Sequence, residues 1–192
     1  MKNIKYAILG LLICAPAIAN AAFFFEPGIT YQSHDTKVKT FLGESSGTNK
    51  GLGLGLRLGT SVSDILFAGV DARYAMTKFE DSTFNSSADA KNMDLAPFIG
   101  VQMPIVGLRL WAAYTLFGEI DPDSSGGIDP KFSKANGLRL GAGFHILMVS
   151  LNLEYQDLKY DDASLKTGLG TTNLDSATAK GISLGVSFPL SF

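Results

Sequence analysis

Residues 51–59 have the sequence Gly-Leu-Gly-Leu-Gly-Leu-Arg-Leu-Gly, in which leucine fills every even position and glycine or arginine every odd one. A period of two is that of a β-strand, whose successive side chains point to opposite faces of the sheet. A soluble half-buried sheet would also alternate, but its polar face would be rich in charged and hydroxyl side chains. Because glycines and one arginine share that face here, the stretch favours the crowded interior of a narrow barrel.

The same alternation recurs along the chain and predicts eight strands. Each has about nine or more residues, which is enough for a tilted strand to cross the hydrocarbon layer of a membrane. The predicted strands cover residues 23–36, 51–62, 65–77, 93–103, 108–118, 137–146, 148–157 and 180–192. We therefore predict an all-β fold, an eight-stranded antiparallel transmembrane up-and-down β-barrel.

The segments between the predicted strands alternate between short and long. Short turns at one end and long loops at the other are typical of bacterial outer-membrane barrels. We predict periplasmic turns and periplasmic termini, with the long polar loops outside the cell. The turns are residues 60–64, 104–107 and 145–147, and the loops are residues 38–50, 78–92, 119–136 and 158–179.

The first residues predict a secretory signal peptide. Lys2 and Lys5 precede an apolar run at residues 7–13, and small residues follow at positions 17–21. This combination is typical of an export signal. The apolar run is far shorter than the about 20 residues of a membrane-spanning helix, which argues against an anchor.

We predict cleavage after Ala21, with Ala19 as the alternative site. The chain then divides into a signal peptide at residues 1–21 and an outer-membrane β-barrel at residues 22–192. The only cysteine, Cys14, lies in the removed segment, so the exported chain cannot form an internal disulfide. Lipidation of Cys14 is the alternative, but isoleucine precedes it where the lipoprotein motif has a small residue.

The charge balance argues against nucleic acid as a partner. The chain has 16 basic and 18 acidic residues, and the predicted signal peptide holds two of the lysines and no acidic residue. The mature part therefore has 14 basic against 18 acidic residues, a formal charge of −4. An acidic chain of this kind does not suit nucleic-acid binding, and its length suits one domain.

Arginines and lysines are segregated along the predicted barrel. Strand parity turns four arginines away from the leucine-rich face and into the lumen: Arg57, Arg73, Arg109 and Arg139. The lysines of the mature chain fall in predicted outer loops or at strand rims: Lys37, Lys39, Lys50, Lys78, Lys91, Lys131, Lys134, Lys159, Lys166 and Lys180.

Carboxylates and amides share the predicted inward face with the arginines. Guanidinium groups pair bidentately with carboxylates and stay charged. Because a barrel of about eight strands is just wide enough to be filled by side chains, we predict an ionic network that fills the lumen. A solute path that opens when the network parts is the alternative. The inward partners are Glu26, Asp71 and Glu154, with Gln32, Gln102, Asn152 and Gln156.

Trp111 departs from the apolar outward pattern of the predicted strands. Leucines such as Leu54 and Leu140 fall on the face that would contact lipid, whereas parity with Arg109 turns Trp111 inward. Either Trp111 packs in the lumen or a β-bulge shifts the register of its strand.

The last predicted strand is apolar at alternate positions and stops on an aromatic residue, through Leu184, Val186, Phe188, Leu190 and Phe192. This pattern resembles the terminal signature through which the barrel assembly machinery recognises outer-membrane barrels. With the export signal and the strand count, residues 22–192 resemble the small eight-stranded family that includes OmpX, the OmpA barrel and the opacity-type proteins. The resemblance implies location in the cell outer membrane, among membrane lipid and lipopolysaccharide, without a cofactor. That family mixes adhesins, stabilisers, small pores and a few lipid A enzymes.

His34 is the only candidate for a catalytic base near the predicted loops. A nucleophilic site would combine it with a hydroxyl and an acid, and Ser33 and Asp35 flank it. Adjacent strand residues point to opposite faces, so these three cannot form a working trio. We predict that the protein is not an enzyme, with lipid A modification as the less favoured alternative.

The third outer loop contains part of a calcium-loop pattern. Aspartates and a serine occupy positions 1, 3, 5 and 9 of an EF-hand loop, namely Asp121, Asp123, Ser125 and Asp129. Phe132 stands where the bidentate glutamate belongs, and Asp, Ser, Pro and Gly equally favour an acidic surface turn. We predict no metal site, with this loop as a weak candidate.

The predicted outer loops also contain apolar residues, namely Phe41, Leu42, Phe79, Phe84, Phe132, Leu165, Leu169 and Leu174. They either bind a surface partner, as loops on rigid scaffolds often do, or extend the barrel wall and pack on one another. The sequence therefore predicts a structural or surface-interaction role of the adhesion type. A narrow channel for small or apolar solutes is the alternative.

Overall fold

The computed structural model describes most of the chain after the predicted signal peptide. The described residues are 21–40, 43–81, 86–124, 128–168, 170–174 and 176–192. The predictions about Cys14 and residues 1–20 of the signal peptide lie outside the described residues, whereas Ala21, at the predicted cleavage site, is the first residue of β1. The predictions about Phe41, Leu42, Phe84, Ser125 and Leu169 lie outside the described residues as well.

Eleven strand segments make up the described chain. Segments β5 and β6 form one barrel strand and β9, β10 and β11 form another, so there are eight barrel strands. Among the described residues, no helix is long and apolar enough to cross a membrane. The segments are β1 (Ala21–Thr40), β2 (Gly43–Val62), β3 (Leu66–Asp81), β4 (Ser86–Met103), β5 (Leu108–Thr115), β6 (Phe117–Pro122), β7 (Ile128–Ile146), β8 (Val149–Thr167), β9 (Gly170–Leu174), β10 (Ser176–Ser187) and β11 (Leu190–Ser191).

The barrel strands pair in chain order, and β1 pairs with both β2 and β10, which closes the ring. Each pairing is antiparallel. Closure pairs the backbone N–H and C=O groups of the first and last strands, which would otherwise be exposed at the edges of the sheet. The predicted all-β eight-stranded antiparallel barrel is confirmed.

Three tight turns lie at one end of the barrel, called here the turn end, at residues 63–65, 104–107 and 147–148. Ser63 and Asp64 have φ values of 53° and 54°, and the amide of Ile65 donates to the carbonyl of Val62 at 3.1 Å. Two consecutive left-handed residues make a type I′ turn, whose twist matches that of the flanking strands. The longer hairpins lie at the opposite end, called the hairpin end.

The prediction of long loops at the hairpin end is wrong, because strands occupy most of residues 38–50, 78–92, 119–136 and 158–179. The backbone ladder continues there, as in the pairing of Val38 with Ser45 and of Lys78 with Asp89. Towards the hairpin end the outer face of the strands is polar instead of apolar. The sequence therefore no longer alternates between apolar and polar residues there, although the strands continue.

A β-bulge at Leu116 divides the fifth barrel strand, which was predicted to be continuous. Ala113 pairs with Phe98 before the bulge, whereas Phe117 pairs with Leu95 after it, so this strand has one residue more than β4. Leu116 and Phe117 are both exposed in consequence. Trp111 precedes the bulge, and its side chain is buried inside the barrel.

Apolar side chains cover the outside of the middle of the barrel. Leu54 is 64% exposed although it lies at the centre of a strand. An exposed apolar belt of this extent is what a barrel wall in contact with lipid requires. Its members include Leu52, Leu54, Leu58, Val70, Ile99, Leu110, Leu138, Leu140, Leu151, Leu153, Leu184 and Val186.

The last barrel strand keeps one register along β1 as far as Phe192. Phe23 and Phe192 exchange two backbone hydrogen bonds of 2.9 and 3.0 Å, and the amide of Phe188 donates to Pro27 at 2.9 Å. Pro189 has no amide hydrogen and interrupts the ladder between β10 and β11. The register does not shift across this gap, and Phe188 and Phe192 both face outward.

Candidate functional site: the filled lumen

Asp71 on β3 is the centre of an ionic network inside the barrel. Its carboxylate accepts hydrogen bonds from Arg57 at 3.1 Å, from Arg73 at 2.7 Å and from Arg139 at 2.5 Å. Arg57 projects from the neighbouring strand β2, whereas Arg139 projects from β7 on the other side of the lumen. One buried carboxylate therefore joins side chains from opposite walls.

Glu154 on β8 is a second centre of the network. Arg73 donates to its two oxygens at 2.7 and 2.9 Å, and Nε of Arg139 lies 3.2 Å away. The indole N–H of Trp111 donates to the same carboxylate at 2.7 Å. The Trp111 ring also lies 4.3 Å from the guanidinium of Arg57, a cation–π contact. Trp111 is therefore part of the lumen network.

Arg109 and Glu26 form a third centre nearer the turn end. Arg109 is completely buried and donates to both oxygens of Glu26, at 2.7 and 3.1 Å. Its guanidinium lies 4.8 Å from the centre of the Phe67 ring. The hydroxyl of Ser187 donates to Glu26 from the last barrel strand. This centre links β1 and β10, which close the barrel, to β5.

Asp94 on β4 is a network member that the sequence analysis missed. Its carboxylate pairs with Arg139, which is buried completely. Asp94 has the same strand parity as Phe98, which faces inward, so parity alone could have found it. With Asp94 included, the described network has four arginines and four carboxylates and is neutral: Arg57, Arg73, Arg109, Arg139, Glu26, Asp71, Asp94 and Glu154.

An aromatic cluster closes the lumen on the turn side of the network. The Phe24 ring lies 5.7 Å from that of Phe67 and 6.3 Å from that of Phe98, centre to centre. Such tilted and edge-on arrangements are favourable for aromatic pairs. Strand parity turns the middle ring of Phe23-Phe24-Phe25 inward, but it does not show which side chains of other strands meet that ring, so the cluster was not predicted. The turn-end cluster comprises Phe24, Phe67, Ala96, Phe98, Trp111 and Ala113.

A second apolar cluster fills the barrel at the hairpin end. The Phe132 ring lies 6.3 Å from that of Phe79 and 6.4 Å from that of Tyr160. Two residues predicted to lie in outer loops, Phe79 and Phe132, thus pack inside the extended wall. The hairpin-end cluster comprises Ala90, Ile120, Phe132, Ala135, Leu158, Tyr160, Ala163, Ala177 and Ala179, with Val38, Phe79 and Leu174 against it.

Two small cavities lie among the described residues of the lumen. One of about 40 Å³ adjoins the ionic network, between Arg57, Arg73 and Glu154. The other, of about 80 Å³, lies at the turn end and is lined in part by Ser61 and His145. The cavity beside the network has room for a few water molecules and is far smaller than a site for a typical small-molecule ligand.

His34 is buried in the lumen, and its ring contacts the side-chain amide of Gln156. Ser33 and Asp35 belong to the opposite face of β1, as strand alternation requires. The structure therefore does not bring Ser33, His34 and Asp35 together.

The candidate calcium segment is not one loop, because β6 extends to Pro122 and β7 begins at Ile128. Phe132, at the position of the missing glutamate, is buried in the hairpin-end cluster. Within the described residues, no cluster of three or more His, Cys, Asp and Glu could hold a metal ion.

The lysines whose side chains the structure describes are exposed, in contrast to the buried arginines. Several pair with carboxylates at the hairpin end, for example Lys180 with Asp157 at 2.7 Å and Lys131 with Glu119 at 2.8 Å. Hydrogen bonding to Asp157 raises the pKa of Lys180 above its usual value. Such exposed pairs add little stability, since water and salt screen them.

Solved outer-membrane proteins share this architecture at low sequence identity. Neisserial surface protein A is 16% identical, with a TM-score of 0.47 and coverage of 88% of this chain and 97% of that chain. Ail of Yersinia pestis, solved in complex with the heparin analogue sucrose octasulfate, is 18% identical, with a TM-score of 0.48 and coverage of 86% and 99%. OprG of Pseudomonas aeruginosa is 14% identical, with a TM-score of 0.45 and coverage of 86% and 95%.

No curated protein matches the sequence. The family model for the outer membrane protein beta-barrel domain matches residues 6–188, which is most of the chain. A closed antiparallel barrel with an apolar outer belt and a filled ionic lumen agrees with that match, and it places the protein in the bacterial outer membrane. The chain belongs to the outer membrane protein beta-barrel domain family.

Proposed function

We propose that this protein is an integral outer-membrane barrel with a structural or surface-interaction role, and that its lumen is a plug. The observation that carries the proposal is the neutral network of four arginines and four carboxylates across the middle of the lumen. A passing solute would have to separate buried charges that satisfy one another, which is costly in a medium of low dielectric constant.

The apolar clusters support the plug at both ends. Phe24, Phe67 and Phe98 fill the lumen towards the turns, and Phe132 and Tyr160 fill it towards the hairpins. A solute path would have to displace both clusters as well as the network. Apart from the hydroxyl of Tyr160 and the indole N–H of Trp111, which already donates to Glu154, the clusters present no polar side-chain groups that could replace the hydration of a polar solute.

The hairpin end supports a role at the cell surface. Its strands extend beyond the apolar belt and present charged side chains such as Lys37, Lys78 and Glu80 to the surroundings. Rigid strands of this kind can hold residues in place for a partner. In this proposal, the termini and turns face the periplasm, and the hairpins face outward among lipopolysaccharide.

The last barrel strand supports recognition by the barrel assembly machinery. Leu184, Val186 and Phe188 face outward at alternate positions, so an assembly factor could read them before the barrel closes. The pairing of β1 with β10 and β11 would then be the final step of closure. No catalytic residue and no metal belong to this proposal.

The refolded protein should be silent in planar lipid bilayers. We expect no steady unitary currents above those of protein-free bilayers, because the ionic network and both apolar clusters block the lumen. Insertion is checked on the same preparation by resistance of the barrel to added protease. Steady unitary currents that change when Arg73 or Glu154 is replaced by alanine would contradict the plug and support a channel.

A further inference from the structure

Two adjacent turns at the turn end of the barrel present apolar side chains, and this surface is called here the apolar turn patch. The amide of His145 donates to the carbonyl of Gly107 at 2.7 Å, which joins the turn between β7 and β8 to the turn between β4 and β5. Ile105 is fully exposed and Leu147 is 90% exposed. The apolar turn patch comprises Ile105, Val106, Ile146, Leu147 and Met148.

Leu147 stands at a position that does not suit a leucine in water. Its φ is 56°, in the left-handed region that asparagine and glycine enter more readily than leucine. Its side chain is almost fully exposed, so contacts within the described chain do not offset that strain. An apolar environment outside the protein explains why this turn has leucine and methionine instead of polar turn residues.

The hairpin of β7 and β8 is also too short to cross the membrane by its strands alone. On the outer face of β8, the uncharged stretch ends at Val149 beside the turn and at Asp157, which pairs with Lys180, towards the hairpins. A strand residue rises about 3.3 Å and a barrel strand tilts by about 40°, so each residue advances about 2.5 Å across the membrane. The eight steps from Asp157 to Val149 therefore cover about 20 Å, whereas the apolar band of such barrels is about 25 Å tall.

The apolar belt continues without interruption into the apolar turn patch. Phe144 pairs with Leu151, and Ile146 pairs with Val149, so the outer face of this hairpin stays apolar down to the turn. Residues 95–108 and 140–153, which include both turns, contain no lysine, arginine, aspartate or glutamate. Because no charge separates the patch from the belt, the two surfaces fit the same occupant, which is lipid.

We infer that the apolar turn patch lies in the lipid leaflet on the turn side, with the turn backbone at the headgroups and the side chains of the patch among the acyl chains. Apolar side chains at such an interface bury about 5–10 Å into the boundary between headgroups and acyl chains, which covers the missing height. The amide of Gly107 donates to Met103 at 2.8 Å and its carbonyl accepts from His145, so these turns satisfy part of their own backbone. The inference rests on the proposed orientation of the barrel, in which this leaflet is the periplasmic one.

Fluorescence quenching of a dye at position 147 tests this inference. The variant carries Leu147→Cys, labelled with an environment-sensitive bimane, and Cys14→Ser, which removes the only native thiol. The purified protein is reconstituted in phosphatidylcholine vesicles with iodide on both sides, or in vesicles of brominated phosphatidylcholine. We expect quenching by the brominated lipid to be several times stronger than quenching by iodide, because the dye lies among acyl chains.

Two further positions calibrate the two quenchers. Leu140→Cys lies in the apolar belt and should match Leu147→Cys, whereas Thr172→Cys, exposed on β9 at the hairpin end, should show the reverse pattern. If the dye at position 147 behaves like the dye at position 172, the inference is overturned and the patch is left as a docking surface for a periplasmic protein. Quenching by iodide alone at position 140 would overturn the proposed insertion itself, and the inference with it.

Met148→Gln gives a second readout, because glutamine has nearly the shape of methionine and differs mainly in polarity. In lipid the new amide loses its hydrogen bonds to water. We therefore expect the midpoint of urea unfolding in vesicles to fall, as it should for Met76→Gln in the apolar belt, where Met76 is 67% exposed. At a site exposed to water the same change is nearly neutral. An unchanged midpoint in Met148→Gln, beside a lower one in Met76→Gln, would overturn the inference.

Discussion

Asp71→Asn should lower the free energy of unfolding by about 3–5 kcal/mol, the range for removing one partner from a buried ionic network. Asparagine keeps the shape of the side chain and removes its charge. Arg57, Arg73 and Arg139 all donate to this carboxylate, so three guanidinium groups lose their common partner. The measurement is urea unfolding of the refolded barrel, followed to its midpoint.

The matched control is Asp157→Asn, which makes the same chemical change at the exposed pair with Lys180. That variant should stay within about 1 kcal/mol of the wild type, because exposed pairs contribute little. The double variant Asp71→Asn with Arg57→Gln restores the balance of charges in the lumen. We expect it to be less destabilised than the sum of the two single variants. Equal effects of Asp71→Asn and Asp157→Asn would show that the network does not hold the barrel together.

Strand parity placed much of the lumen correctly from the sequence alone. Arg57 alternates with leucines in the most regular stretch of the chain, and the structure places it inside with Asp71 and Glu154. Alternation is informative there because the outer face contacts lipid and must be apolar. In this part of the barrel, alternation assigned Arg57, Asp71 and Glu154 to the inner face, where the structure has them.

The predictions were less accurate where the outer face leaves the apolar belt. Phe132 and Tyr160 were assigned to loops, yet they lie on strands and pack inside the barrel. A strand with polar residues outside and apolar residues at uneven intervals inside has no clear period. Asp94 was missed for a different reason: it is the second residue of a predicted strand, although the exposed Met93 and Leu95 on either side give it inward parity.

The bulge at Leu116 is a feature that alternation could not locate. It changes the parity of the barrel strand between Thr115 and Gly118, both of which face inward. Parity counted from Arg109 is valid as far as Leu116 and fails at Phe117, which is exposed. The position of the bulge is defined by how this strand pairs with β4, and the alternation within a single strand does not show that pairing.

Gly141→Ala should expel Trp111 from its place in the network. A Cβ at Gly141 would overlap the indole ring, which the hydrogen bond to Glu154 and the contact with Arg57 hold in position. Overpacking of a filled interior costs about 1–3 kcal/mol, and loss of a hydrogen bond to a charged group costs about 1.5–3 kcal/mol. We expect the free energy of unfolding to fall by roughly 3–5 kcal/mol in total.

The fluorescence of Trp111 reports this displacement directly, because it is the only tryptophan in the chain. We expect its emission in the folded variant to shift to longer wavelength, as the indole ring leaves a buried site. Gly55→Ala is the matched control, since a Cβ there would meet only Cγ of Arg73, at an ordinary distance of 3.9 Å. It should leave both the emission and the unfolding midpoint nearly unchanged. An unshifted emission in Gly141→Ala would mean that the backbone around residue 141 moves to make room for the added methyl group while Trp111 stays in place. The packing of Trp111 against β7 would then not fix the shape of the lumen.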